Sequence, residues 1–271
     1  GAAIATVLTR SIASILGIYL MFNQKVDISL KLTYLKPDPE WIKKIFEIGA
    51  PATIARFGSA LGFILLIRLI TDFGTVPMTT YSIVQRIIQL INITIWGFAG
   101  SVMTMVGQNI GANQKQRAEN IVKKAILVSG AIMITISTAI YLTRTTIIQI
   151  FINNQLVINE GSTLIAIFVA SIPFFGWFRI FDSTYRATGH TKPAMILSLT
   201  RIWVLRIIGS YLLSKTILGI GLKMGITGVW IGMAISNIII TIISYFYFTT
   251  GNWKEKTIDQ DKVKEEVIKE E

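Results

Sequence analysis

Apolar runs of about twenty residues recur from one end of this chain to the other, separated by short polar stretches. Wound as a helix, a run of that length crosses about 30 Å of hydrocarbon. Seven runs can be marked, at residues 2–22, 50–72, 78–106, 121–142, 162–182, 195–218 and 225–248. They leave no stretch long enough for a soluble domain. The expected fold class is therefore an all-α membrane protein with about seven transmembrane helices. Composition agrees: 52% of the residues are hydrophobic and the mean hydropathy is +0.60. Only 15% are charged, against about 25% in an ordinary soluble domain.

A net charge of +11 raises the question of nucleic acid. The cations sit between apolar runs and form no basic surface, so the expected partner is the lipid bilayer, with no nucleic acid. The chain has no cysteine and one histidine. That removes a disulfide framework and a thiolate metal site, and argues against a zinc cluster. No metal ligand set and no organic cofactor are expected.

Lysine and arginine placement sets the orientation. The connection after the first run carries Lys25, Lys31, Lys36, Lys43 and Lys44. The one after the third carries Lys115, Arg117, Lys123 and Lys124, and the one after the fifth carries Arg186 and Lys192. The tail carries Lys254, Lys256, Lys262, Lys264 and Lys269. The other connections have only Arg144, Lys215 and Lys223 between them. The rich connections share one side, which is read as cytoplasmic, as is the C-terminus of this multi-pass plasma-membrane chain.

The N-terminus then starts outside, and "GAAIAT" enters the membrane at once without an initiator methionine. A preceding segment is expected. "GAAIATVLTRSIASILGIYL" from Gly1 lines up with "GVWIGMAISNIIITIISYFY" from Gly228, an offset of 228 − 1 = 227 residues. A repeat of six helices crosses the membrane an even number of times. Its copies are then parallel, as in several transporter folds. The chain is read as the last helix of a first lobe (1–22), a cytoplasmic connection (23–49), a six-helix C-terminal lobe (50–250) and a charged cytoplasmic tail (251–271). The missing N-terminal lobe of the same protein is an expected partner.

Motifs carry a resemblance. "VGQNIGANQKQRA" from Val106 is similar to the loop after the eighth helix of the multidrug and toxic compound extrusion (MATE) family. "GAAIAT" resembles the start of that family's sixth helix, and "EIGAPATIARF", with Gly49 and Pro51, the start of its seventh. "YRATGHTKPAM" resembles the loop after its tenth helix, with Ala187 in place of a glycine and His190 in place of an acid or amide. The resemblance implies twelve helices in two lobes and export of a small-molecule substrate, cationic or amphipathic, in exchange for H⁺ or Na⁺. Some relatives carry acids in the seventh and tenth helices; these positions fall near Ser59 and Gly176 here, so the resemblance implies a coupling carboxylate in the other lobe.

Individual residues refine the picture. Tyr81, Gln85, Gln89, Asn92 and Trp96 recur at three or four residues and share one helix face. Polar groups facing lipid are costly; the stripe therefore lines a substrate cavity or, alternatively, bonds another helix. Gly58 and Gly62 form a GxxxG spacing suited to close packing. Gly107, Gln108, Asn109 and Gly111 read as a hinge or loop motif: glycines for close approach or positive φ at a helix stop, amides for stray backbone groups. Pro173 removes a backbone donor inside the fifth run and is expected to kink it.

Intramembrane charge is the sharper signal. Arg10, Arg56, Arg68, Arg86, Arg179, Arg201 and Arg206 fall in or near the runs, and many lie close enough to an end to snorkel. Arg68 can pair with Asp72 one turn on. Arg206 is deeper. Asp182 is the clear acid, with Glu47 at an edge; Asp182 and Arg206 are read as an ion site or as a structural charge site. An enzyme would need clustered catalytic groups, which one histidine and one deep acid do not supply. Export leads, with a lipid-linked oligosaccharide flippase or a structural membrane partner as alternatives.

Overall fold

The structure is a computed structural model that describes residues 1–22, 37–215 and 221–255. Among these every regular element is helical. In order they are α1 (Ala2–Phe22), α2 (Pro39–Thr71), α3 (Thr75–Gly111), α4 (Lys115–Phe151), α5 (Gln155–Val169), α6 (Ile172–Ala187) and α7 (Thr191–Leu199). A π-helix (Thr200–Ile208), α8 (Gly209–Ser214), α9 (Ile226–Thr249) and a short 3₁₀ turn (Asn252–Lys254) follow. Lys25, Lys31, Lys36, Lys256, Lys262, Lys264 and Lys269 lie outside the described residues.

Six helices are long and apolar enough to cross a membrane, and α5 with α6 makes a seventh. Several outrun the apolar stretch that announces them. α2 begins at Pro39, capped by Asp38, whose carboxylate accepts from the Glu40 amide at 2.8 Å. The expected connection at 23–49 is thus helical over its last eleven residues, and Lys43 and Lys44 ride on α2. Polar helical ends continue the backbone ladder beyond the hydrocarbon, because hydropathy marks the membrane and not the helix.

The bend between α5 and α6 is 48°. Pro173 sits in the first turn of α6, where an amide has no intrahelical acceptor in any case. It therefore opens a second helix; the break itself falls at Ala170 and Ser171. Asn154 starts α5, its side chain accepting from the amides of Leu156 and Val157 at 3.0 and 3.3 Å.

The chain forms two compact units, Gly1–Glu47 and Ile48–Glu271. The first contains α1 and the opening turns of α2. In the second, α3 packs on α4, α5 and α6, while α9 packs on α5, α6, the π-helix and α8. Trp230 of α9 is fully buried, stacked on Tyr81 at 6.2 Å between centroids, and donates to Glu160 Oε1 at 2.7 Å. Contact between α8 and α9 needs glycine: a Cβ on Gly232 would lie 2.6 Å from Ser210 Oγ. The Gly58 and Gly62 face of α2 meets Leu199 and Ile202 with similar closeness, and Trp203 Nε1 donates to the Gly58 carbonyl at 3.0 Å.

Candidate functional site

Within the second unit α2, α3, the bent α5–α6 pair, the Thr191–Ser214 helix and α9 enclose an open cavity of about 1050 Å³. Its walls combine aromatic residues, among them Phe63, Phe168, Phe175 and Phe178, with five arginines. No Asp or Glu is among the described residues that line it.

The polar stripe of α3 divides. Gln85, Asn92 and Trp96 line the cavity; Tyr81 and Gln89 do not. At about 100° per residue, Asn92, Gln85 and Trp96 fall roughly 20°, 40° and 60° around the axis from Tyr81, and Gln89 about 80°. The two residues left out are the stripe's edges. Tyr81 is buried on Trp230, its hydroxyl accepting from Gln85 Nε2 at 2.6 Å, while Gln89 is exposed. Asn92 Oδ1 is buried without a hydrogen-bond partner.

Asp182 is 1% exposed. Its Oδ2 accepts from Arg179 Nη1 and from Arg186 Nε, both at 3.0 Å. These contacts follow from helical spacing at i−3 and i+4. Ser198 approaches the other oxygen at 3.5 Å. Arg179 and Arg186 line the cavity and Asp182 lies behind them. Arg179 also covers the Trp96 ring, its guanidinium carbon 4.7 Å from the centroid.

Arg206 donates to Ser236 Oγ at 3.1 Å, Asn237 Oδ1 at 2.8 Å and the Met233 carbonyl at 3.3 Å. Arg201, which the sequence grouped with cations near helix ends, is 8% exposed and lies over the rings of Phe175 and Phe178. It donates to Asn237 Oδ1 through a long contact of 3.5 Å, and its Nε has no partner among the described residues. Neither arginine takes part in an ion pair among the described residues. Both belong to the π-helix. An α-helix would set residues five apart about 140° from one another; the i→i+5 ladder of a π-helix brings them onto one side. That widening turns both guanidiniums into the cavity, and no apolar periodicity announces it. Arg56 of α2 completes the set from the exposed side of the wall.

The hinge motif behaves differently from its glycine pattern. α3 continues through Gly107 to Gly111, and the left-handed turn that follows falls on Asn113, with φ 62°. Asparagine tolerates that region through its short polar side chain. Gln108 contributes its carbonyl to the Ala112 amide at 3.0 Å, and Asn109 Nδ2 donates to the Met105 carbonyl at 2.7 Å. None of Gly107, Gln108, Asn109 and Gly111 lines the cavity. Asp72, paired by sequence with Arg68, instead accepts from Lys215 Nζ at 2.6 Å. Ser59 lines the cavity, and Gly176 lies against Met133 and Ile95. No group of three or more His, Asp or Glu able to hold a metal stands among the described residues.

Comparison with known proteins gives consistent likenesses. The MatE family model matches residues 51–212. The probable multidrug resistance protein NorM of Thermotoga maritima is 24% identical over 270 residues, covering 98% of this chain and 56% of the relative. A MATE crystal structure in the bent conformation superposes with a TM-score of 0.81 at 20% identity, over 91% of this chain and 54% of that one. A MOP superfamily transporter from Pyrococcus furiosus, described as having a binding pocket of reverse polarity, superposes at 0.84 with 19% identity, over 95% and 57%. The chain thus spans about half the length of the curated relatives it matches.

Proposed function

Since the chain belongs to the MatE family, we propose that it forms the C-terminal lobe, with the preceding helix, of a secondary active exporter of small amphipathic organic compounds. Residues 1–22 close the N-terminal lobe, 23–49 connect the lobes, 50–250 form the second lobe and 251–271 the cytoplasmic tail. Transport proceeds by alternating access, in exchange for H⁺ or Na⁺. The cavity supports this reading: helices of a single bundle enclose a drug-sized, aromatic-walled space. Gln85, Asn92 and Trp96 contribute polar contacts from α3, and the other lobe supplies the facing wall.

The lining has no carboxylate among the described residues, and Asp182 is engaged by two arginines. Coupling is accordingly assigned to a carboxylate of the other lobe, with Asp182 holding the α6 arginines in place. The multidrug names of relatives speak for export over the flippase, the structural partner or any enzymatic role.

Reconstitution tests the reading. Proteoliposomes of the two-lobe protein should move a fluorescent amphipathic compound when a proton or sodium gradient is imposed, and those of the 271-residue chain alone should not. Gradient-driven movement by the single lobe would remove the two-lobe requirement. A two-lobe protein inert to both gradients would refute the exporter.

A further inference from the structure

Resting on the exporter reading for its setting, we propose that this lobe's cavity binds an organic anion: an acidic group, carboxylate, sulfonate or phosphate, on an apolar body. Five arginines, Arg56, Arg179, Arg186, Arg201 and Arg206, line one space that no carboxylate among the described residues lines; Asp182, behind them, is already shared by Arg179 and Arg186. Arg201 and Arg206 are 8% and 4% exposed, with no carboxylate partner among the described residues. A buried guanidinium without a counter-charge is costly, and its planar fork matches an oxyanion.

Orphaned donors sharpen the assignment. Arg201 Nε and Arg179 Nε are both buried and without a hydrogen-bond partner. Arg201 has only one long bond, to Asn237. It is a nine-tenths-buried cationic side chain at the cavity wall with donors to spare. Phe175 and Phe178 lie beneath it and Phe63 beneath Arg206, so aromatic surface adjoins the charge. A cation would meet like charge here from every wall that carries an ionised residue. An anion with a flat apolar body would meet both kinds of partner at once.

A matched pair of probes tests the polarity: 2-naphthalenesulfonate and 2-naphthyltrimethylammonium, alike in apolar body and opposite in charge. Binding is measured by calorimetry to the full chain, and to the two-lobe protein, in nanodiscs of zwitterionic lipid. The sulfonate should bind more tightly in both, with an affinity that falls as salt rises. Arg201→Gln should weaken the sulfonate by at least about tenfold, the size of one charge-assisted hydrogen bond, and leave the ammonium unchanged. Arg56→Gln, at an exposed position where the change should cost little stability, should weaken the sulfonate by a smaller factor. It keeps the test open should Arg201→Gln fail to fold.

Preference for the ammonium, binding of neither probe, or loss of the sulfonate preference in the two-lobe protein would overturn the proposal. In the last case a carboxylate of the other lobe is what the arginines face. Adding anionic phosphatidylglycerol to the discs separates two sources of the same chemistry: competition marks a lipid headgroup, and an unchanged affinity marks a soluble anion. Export is read independently. A two-lobe protein that prefers the sulfonate but effluxes no organic compound sinks the exporter and leaves the anion site. One that effluxes dyes but prefers the ammonium does the reverse.

Discussion

Arg206 Nη2 donates to Asn237 Oδ1 at 2.8 Å, joining the π-helix to α9 across 31 residues of sequence. The same oxygen receives Arg201 Nη1 at 3.5 Å, and Asn237 Nδ2 donates to Ser171 Oγ at 3.1 Å. One amide thus ties together two buried cations, the core helix and the α5–α6 break. It supplies an acceptor to the arginines without supplying a negative charge.

Asn237→Ala should destabilise the protein by about 1–3 kcal/mol, the cost of leaving buried donors without an acceptor. Chemical denaturation in detergent measures this. Asn237→Asp should be at least as stable as Asn237→Ala, because the carboxylate gives the guanidiniums a counter-charge, and it should abolish any preference for the anionic probe. A stable Asp variant that keeps that preference would show that Arg201 and Arg206 do not hold the anion.

Asp182→Asn should lower stability and abundance. It weakens a carboxylate shared by two arginines whose side chains are 22% and 23% exposed. Partial exposure puts the loss toward the lower end of about 3–5 kcal/mol for breaking a buried pair. In the two-lobe protein, transport per molecule should keep its ion dependence. A variant as abundant and stable as the parent, but deaf to proton and sodium gradients, would make Asp182 the coupling acid.

The α3–α4 turn should be cytoplasmic and the α4–α5 turn external. With no native cysteine, single cysteines can report this through an impermeant maleimide on whole cells. Gln114 suits the first site. Asn153 suits the second better than Asn154, whose side chain caps α5. Labelling at 114 with protection at 153 would reverse the orientation.

The pairing of Lys215 with Asp72 should be visible in the pH dependence of stability. The hydrogen bond from Lys215, then its charge, holds the Asp72 carboxyl below its usual range; desolvation opposes them and the charge of Arg68 adds to them. A folded-state value below the unfolded one means that the pair stabilises above the ordinary carboxyl value of about 3.9. That stability is lost as the pH falls through the lowered folded value. Melting temperatures of the parent and Asp72→Asn should differ by a constant small amount from pH 8 to pH 5 and converge in stronger acid. A difference that grows on acidification would contradict the pairing.

Local spacing made much of this legible beforehand. The apolar runs placed seven crossings, because hydrocarbon thickness sets a length that composition alone reveals. The neighbours of Asp182 were readable too, since residues three and four apart meet on any helix. Partners on different helices were not. Arg68 stands one turn from Asp72, yet Lys215, 143 residues away, takes the carboxylate. Three of the five stripe residues line the cavity, because the rotation of α3 against its neighbours decides which edge of a polar face is covered. Arg201 and Arg206 stand five residues apart, a spacing that an α-helix spreads around its axis and that the π-helix gathers onto one side. The sequence by itself determined the membrane class, the number of crossings and the two arginine contacts of Asp182, since these depend on length and local periodicity. Tertiary structure alone decided the polarity of the cavity, because that depends on which helix faces converge and on a backbone widening that has no periodic signature.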